Sequence, residues 1–416
     1  MPKAWLGNTS PRAAISIKPG LDKVLALSAG LGWLALLFGP LLVLRPNRLA
    51  AGEGLRVWEV FNPLGPSGLA GLTGLVLLSG TLLLLSFGAL PARARFIRVG
   101  KLALPVAWTG VMLFVFLAGQ GARQIMDAAT PFTRVSLGWG FWILLVSLGT
   151  ICADRFKRVG QSAGALAVWL WLVGLAGLMA AGGLDSLAIT KEFYARQSRF
   201  LGELSAHLTI TGLSVAASAT VGIPLGLLLH VRRLLAPRVF LVLNVAQTIP
   251  SLALFGLLMV PLSLLAERFP ALGKLGVQGI GAAPAIIALT LYALLPVVRN
   301  TYAGLASIDQ AAVDAGTGMG MSKWQLLRDV TIPLALPAIL GGIRIALVQN
   351  IGNAAVAALI GAGGFGVFIF QGLGQAATDL VLLGALPTVL LAVAADALMQ
   401  VAIPLLAPEH NRGAQA

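Results

Sequence analysis

Few side chains in this 416-residue sequence have the type and spacing to do chemistry, and those that do are suited to recognition. The densest group lies between Asp309 and Pro333. There Asp314, Ala315 and Gly316 precede Gly318, Met319, Gly320 and Met321, followed by Ser322, Trp324 and Gln325 and then by Val330, Ile332 and Pro333. Methionine adapts to a partner's surface and tryptophan is a frequent interface anchor, so this group offers a docking knob. A second group is polar residues inside apolar runs: Asn244, Gln247, Thr248 and Ser251, with Pro250 among them, and Asn350 with Asn353. Spacings of three and four put each set near one helical face, from which it can line a polar route or hydrogen-bond to neighbouring helices. Pro250 also frees a carbonyl near Ala246. A third group, Gly361, Gly363, Gly364, Phe365 and Gly366, permits either close backbone approach at a gate or simply the end of a helix. Arg344 and Asp396 are the chief charges within apolar runs of the second half, expected toward the inner ends of their spans, where they would pair or snorkel. His207 and His230 read as ordinary interfacial residues. One Cys and three His argue against a disulfide framework or a metal site, and no G-x-x-x-x-G-K-S/T loop is present to cradle nucleotide.

The elements that must position these residues follow from composition. The chain is 58% apolar and only 11% charged, with a mean hydropathy of +0.90, which excludes an ordinary soluble domain. Runs of roughly 20 apolar residues are long enough to cross a hydrocarbon core. Ten such runs, at 24–44, 68–90, 102–119, 135–153, 163–183, 206–229, 239–263, 280–298, 338–360 and 381–406, predict an all-α polytopic membrane protein with about ten transmembrane helices. The first reads as an anchor, because a long polar segment precedes it and no small-x-small cleavage site follows. With the N-terminus inside, 18 Lys and Arg fall on inner segments and 10 on outer ones, which favours both termini in the cytoplasm. The net charge of +14 is therefore a topology signal, with lipid headgroups as a secondary partner and no support for nucleic acid.

Eight of nine Trp precede residue 200. This shift divides the chain into a five-span region at 1–183 with no legible role, an outer amphipathic linker at 184–205 and a second five-span unit at 206–408. The segment 299–337 is the long inner loop of that second unit. Ala311 to Ala315 predict a short helix, interrupted at Gly316, Gly318 and Gly320. Ser322 with Gln325 fits a capping box that starts a second helix at Lys323, which Pro333 should stop.

The run Asp314-Ala315-Gly316, Gly320, nine residues and Val330-Thr331-Ile332-Pro333 resembles the E-A-A-x3-G-x9-I-x-L-P loop of ABC importer permeases. Asp replaces Glu, Gly316 the second Ala, Val330 the Ile and Ile332 the Leu. The stretches HLTITGLSVAASATVGIPLG (His207 to Gly226), QTIPSLAL (Gln247 to Leu254) and IGAGGFG (Ile360 to Gly366) are similar to those of permeases for glycine betaine, carnitine and choline. The resemblance covers roughly 200–408 and implies a C-terminal five-helix type I ABC importer permease core. It implies a bacterial inner-membrane translocation subunit rather than an enzyme, working with two ATPase subunits that bind ATP and Mg. It also implies a second permease subunit, identical or shorter, and a periplasmic or tethered substrate-binding protein. The chain itself would bind no cofactor. A permease for another small polar solute is the nearest alternative. An ion-coupled secondary transporter would place acidic or histidine relays at mid-bilayer, and such residues are nearly absent.

Overall fold

The computed structural model describes residues 23–47, 50–61, 79, 97–127, 132–159, 161–274 and 276–407. In chain order the first half contains α1 (Lys23–Phe38), β1 (Leu42–Arg45), β2 (Glu53–Leu55), α2 (Ile97–Asp127), β3 (Arg134–Leu137), α3 (Trp139–Val159), α4 (Gln161–Ala180) and α5 (Ala188–Ala195). The second half contains α6 (Gln197–Val231), α7 (Ala236–Thr248), α8 (Ser251–Arg268), α9 (Ala282–Ala306), α10 (Gln310–Gly318), α11 (Lys323–Ile360), α12 (Gly366–Gly374) and α13 (Thr378–Leu406). Five of these, α6, α8, α9, α11 and α13, are long and apolar enough to cross a membrane. Shorter apolar helices cover Ala26–Phe38, Trp139–Ala153 and Gly164–Ala180.

Three expectations need correction. The first span was drawn to residue 44, but α1 ends at Phe38 because Gly39 and Pro40 break it, and Leu42–Arg45 becomes a strand. The run beginning at 135 likewise starts as strand β3 before α3 begins. These two segments pair antiparallel, Leu42 with Leu137 and Arg45 with Arg134, in a three-stranded sheet ordered β2-β1-β3, so the fold is helical apart from this small sheet. The span drawn at 239–263 is two helices, because Ile249 ahead of Pro250 takes the extended conformation that a residue before proline favours. Residues 184–205, expected as an amphipathic linker, hold the short helix α5 and the first turns of α6. The expected span at 68–90 lies outside the described residues, except for Ser79.

The second half is built on close contact of α6, α9 and α11. Gly222 and Gly226 lie one turn apart on α6 and let it run against α9: a Cβ on Gly226 would stand 2.6 Å from the Thr301 Cβ, and one on Gly222 2.9 Å from a Val297 methyl. Small residues at this spacing allow helices to approach in lipid, where apolar burial gives no preference for protein over acyl chains. Gly304 and Gly342 do the same between α9 and α11, against Ala338 and Asn300. Contacts of 222 with 297 and 226 with 301 make α6 and α9 parallel, whereas those of 304 with 338 and 342 with 300 make α9 and α11 antiparallel. All three therefore share one end with the α10 hairpin and the other with the small sheet.

The first half joins the second at the sheet end. Ser136 on β3 donates to the Asp379 carboxylate at the start of α13, at 2.9 Å. The Arg134 guanidinium bonds the buried Glu192 at 2.6 Å, and Arg196 bonds the same carboxylate from the other side. Beside these polar contacts, where α4 also packs on α13, lies an apolar cavity of about 530 Å³ lined by Trp142, Trp171, Phe193, Phe200, Phe365 and Pro387 among others.

Gly226→Val should force α6 away from α9 and cost about 1–3 kcal/mol, read as a lower Tm of the detergent-purified protein. Gly212→Ala, on the same helix where an added Cβ meets nothing within 4 Å, should leave Tm unchanged or raise it slightly.

Candidate functional site

At the hairpin end, Asp309 caps α10 by accepting the Ala311 N–H at 3.0 Å. Gln310 bonds Asp314 along the exposed face at 3.0 Å. Gly316 and Gly318 do not interrupt this helix. Gly316 is buried because α10 lies so close to the next segment that a Cβ there would stand 2.6 Å from a Leu326 methyl. The glycine that departs from the family pattern thus sets how tightly the hairpin closes. The turn itself falls at Gly320, whose φ of +81° suits glycine. Ser322 and Gln325 form the expected capping box, with Gln325 Oε1 accepting the Ser322 N–H at 2.8 Å. Pro333 does not stop the second helix. Leu326–Thr331 widen into a π-turn ahead of it, and the Thr331 hydroxyl donates to the Leu326 carbonyl at 3.0 Å. Pro333 falls in the first turn that follows this widening, and α11 continues to Ile360. Asp314, Ala315, Met319 and Trp324 are exposed on the finished hairpin, the last two at 71% and 67%, while Met321, Val330 and Pro333 are half-buried and Ile332 is just exposed.

The polar residues inside the bundle separate into two kinds. Asn350 is fully buried: its amide donates to the Ser214 hydroxyl on α6 at 2.8 Å and to the Leu289 carbonyl on α9 at 3.1 Å. In this conformation it ties three helices together and faces no open route. Gln247 donates to the Tyr292 carbonyl at 2.7 Å, and the Tyr292 hydroxyl returns a bond to the Ile249 carbonyl at 2.6 Å, closing the α7–α8 break onto α9. Asn244, Thr248 and Pro250 are exposed, and Asn353 is half-buried. Ser251 starts α8, so it does not share a helix with the other three polar residues. Because α7 ends at Thr248, the Ala246 carbonyl is a helix-end carbonyl with or without Pro250.

The glycine turn at the far end is pinned from α6. Glu203 accepts the Gly364 N–H at 2.8 Å, and His207 Nδ1 accepts that of Phe365 at 3.3 Å. His207 Nε2 then donates to the Ile351 carbonyl at 2.9 Å. That carbonyl is available because α11 tightens at Ala355, whose N–H turns to Gly352 and Asn353 instead. This pattern uses both ring nitrogens in the neutral Nε2–H tautomer. His207 is thus fully buried, and the interfacial reading was wrong. Glycines at 361, 363 and 364 hold positive φ, and Gly366 packs directly on the Ala355 carbonyl. The one signal in the sequence was Glu203 and His207 at helical spacing of four, facing a glycine-rich segment far along the chain. Outside the spans, burial and the neighbouring Arg134 hold the Lys191 ammonium below the usual lysine range.

Arg344 and Asp396 pair as expected. Nε and Nη2 donate to the two carboxylate oxygens at 2.5 and 2.8 Å, and Gln400 adds a third bond at 2.7 Å. At ~1.5 Å per residue, Asp396 lies about 27 Å from Thr378 and about 15 Å from Leu406, in the half of α13 nearer the hairpin end of the bundle.

Long apolar helices held by buried polar ties, with a capped hairpin presented at one end, define a polytopic membrane protein. Residues 219–407 match the family described as binding-protein-dependent transport system inner membrane component, and residues 21–190 match the ABC transporter permease YehY N-terminal domain. The choline transport system permease protein OpuBD of Bacillus subtilis is 42% identical over 50% of this chain and 85% of its own. The osmoprotectant import permease protein OsmW of Salmonella typhimurium is 43% identical over 50% of this chain and 91% of its own. The glycine betaine/carnitine/choline transport system permease protein OpuCD of B. subtilis is 42% identical over 50% and 84%. A solved inward-facing structure of the MetNI methionine ABC transporter aligns with 51% of this chain and 99% of its own, at a TM-score of 0.44 and 23% identity. The chain belongs to the binding-protein-dependent permeases of ABC importers and is an integral membrane translocation subunit.

Gly316→Leu should pry α10 from the π-turn and make the Met319–Lys323 connection sensitive to limited proteolysis. Gly318→Ala, where a Cβ meets nothing within 4 Å, should cleave no faster than the parent.

Proposed function

We propose that this chain is the membrane permease of an ATP-driven importer of osmoprotectants such as glycine betaine and choline. The observation that carries the reading is the level of identity, above 40% over most of their length, to three permeases named for choline, osmoprotectant and glycine betaine/carnitine/choline transport. The hairpin supports it. Trp324 and Met319 stand out on a rigid, doubly capped unit, which suits insertion into a cleft of a separate ATPase subunit. In this reading the hairpin end faces the cytoplasm, as the distribution of Lys and Arg favours, and the glycine turn faces the periplasm, where a substrate-binding protein docks. ATP and Mg stay on the ATPase. Closure of the nucleotide-bound ATPases pushes the hairpin, and α11 is continuous from Lys323 to Ile360, so the push is carried along the bundle to the pinned glycine turn. A second permease subunit completes the pathway.

The reading is tested by co-expressing the chain with an ATPase and binding protein encoded beside it and measuring ATP-dependent uptake of labelled glycine betaine and choline in proteoliposomes. Uptake of either is expected from the parent complex. Trp324→Ala combined with Met319→Ala is expected to lower ATPase co-purification and uptake at least ~10-fold, since anchors of this kind are each worth ~2 kcal/mol or more. An assembled parent complex that moves neither solute would reject the substrate class. Unchanged assembly and uptake in the variant would reject the hairpin as the coupling element.

A further inference from the structure

The Arg344–Asp396 pair lies on the wall of a cavity of about 500 Å³, a volume suited to a small solute, together with Asn300 and Gln349. Both side chains keep about a third of their surface open, 31% for Arg344 and 33% for Asp396. A charged pair within apolar spans is costly if its open side meets acyl chains, so that side faces a water-filled route or another protein surface. The guanidinium has five N–H donors. Asp396 engages two of its nitrogens, and the remaining donors have no partner among the described residues. On this wall, then, stand a cation with spare donors, an anion beside it and two amides. When the cavity is empty the two charges neutralise each other, which is what makes them tolerable in a span.

We propose that Arg344 and Asp396 form a transit site for a small zwitterion, whose carboxylate is taken by Arg344 and whose quaternary ammonium is taken by Asp396 as the ion pair opens. The exchange leaves no charge uncompensated: two opposite charges on the protein trade each other for two on the solute. A solute that carries only the ammonium, such as choline, engages Asp396 alone and has no use for the spare donors of Arg344. The site rests on the osmoprotectant reading and adds the residues that would recognise the solute inside the membrane.

The test uses the full importer in proteoliposomes with saturating binding protein, and initial uptake of glycine betaine and choline normalised to assembled complex. Arg344→Gln is expected to lower glycine betaine uptake about tenfold while choline uptake changes less than about threefold, because only the zwitterion loses a charged partner. The double variant Arg344→Met, Asp396→Leu removes the pair without leaving a lone buried charge, so it should assemble, hydrolyse ATP and lose uptake of both solutes. Parent-like uptake by the double variant would overturn the proposal by making the pair purely structural. An equal loss of both solutes in Arg344→Gln would overturn it too, and this ratio decides the matter even if the double variant fails to assemble. Absence of uptake of both solutes by the parent complex would overturn the functional reading beneath it.

Discussion

The organisation of this protein depends on one constraint: inside a membrane every backbone N–H and C=O must find a partner within the protein. Helix α11 meets that constraint against its own sequence. It contains Pro333 and Pro337, either of which would ordinarily break or kink a helix, yet it runs unbroken from Lys323 to Ile360. The π-turn at Leu326–Thr331 shifts the hydrogen-bond ladder ahead of Pro333, and the Thr331 hydroxyl serves the Leu326 carbonyl. At the other end the helix tightens at Ala355, and His207 takes the Ile351 carbonyl that this releases. The second of these bonds also attaches α11 to α6, and through His207 to the glycine turn.

Continuity is what the proposed coupling asks of α11. Its hairpin end is splinted by α10 through the close contact at Gly316. Its middle is gripped by α9 at Gly342 and by α6 and α9 through Asn350, and it carries Arg344 toward α13. Its far end reaches the turn that Glu203 and His207 pin. In the proposed coupling, a push on the exposed Trp324 face would travel along this packed helix to the opposite end of the bundle. The first half touches this system at the sheet end, where Ser136 holds the start of α13 and Phe365 of the glycine turn helps line the apolar cavity. The region matched to the YehY N-terminal domain therefore packs against α13 and the glycine turn of the core.

How much of this was legible follows from the range over which each signal acts. The hairpin was legible because its determinants are local: Ser322 and Gln325 cap by spacing alone, and Gly320 marks the turn whatever surrounds it. Gly316 was misread as a helix breaker, since its role comes from Leu326, a contact that appears only when the two helices close. Pro333 was misread for the same reason, because the compensating π-turn and the Thr331 bond are invisible to a rule about proline alone. The partners of Asn350 lie 136 and 61 residues away, so composition could offer only an even choice between route and tie. The small sheet escaped because Leu42–Arg45 and Arg134–Leu137 each adjoin an apolar helix, and together they read as parts of spans.

The rigidity of α11 can be measured by pulsed dipolar spectroscopy on the assembled importer in lipid nanodiscs. Spin labels at Trp324 and Leu359 span 35 residues of one helix, about 53 Å at ~1.5 Å per residue, and a third label at Trp169 reports from α4. With a rigid lever, the 324–359 distance stays constant when ATP is added while the 169–359 distance shifts. A 324–359 distance that shortens with ATP, through bending at Pro337 or unwinding of the π-turn, would contradict it.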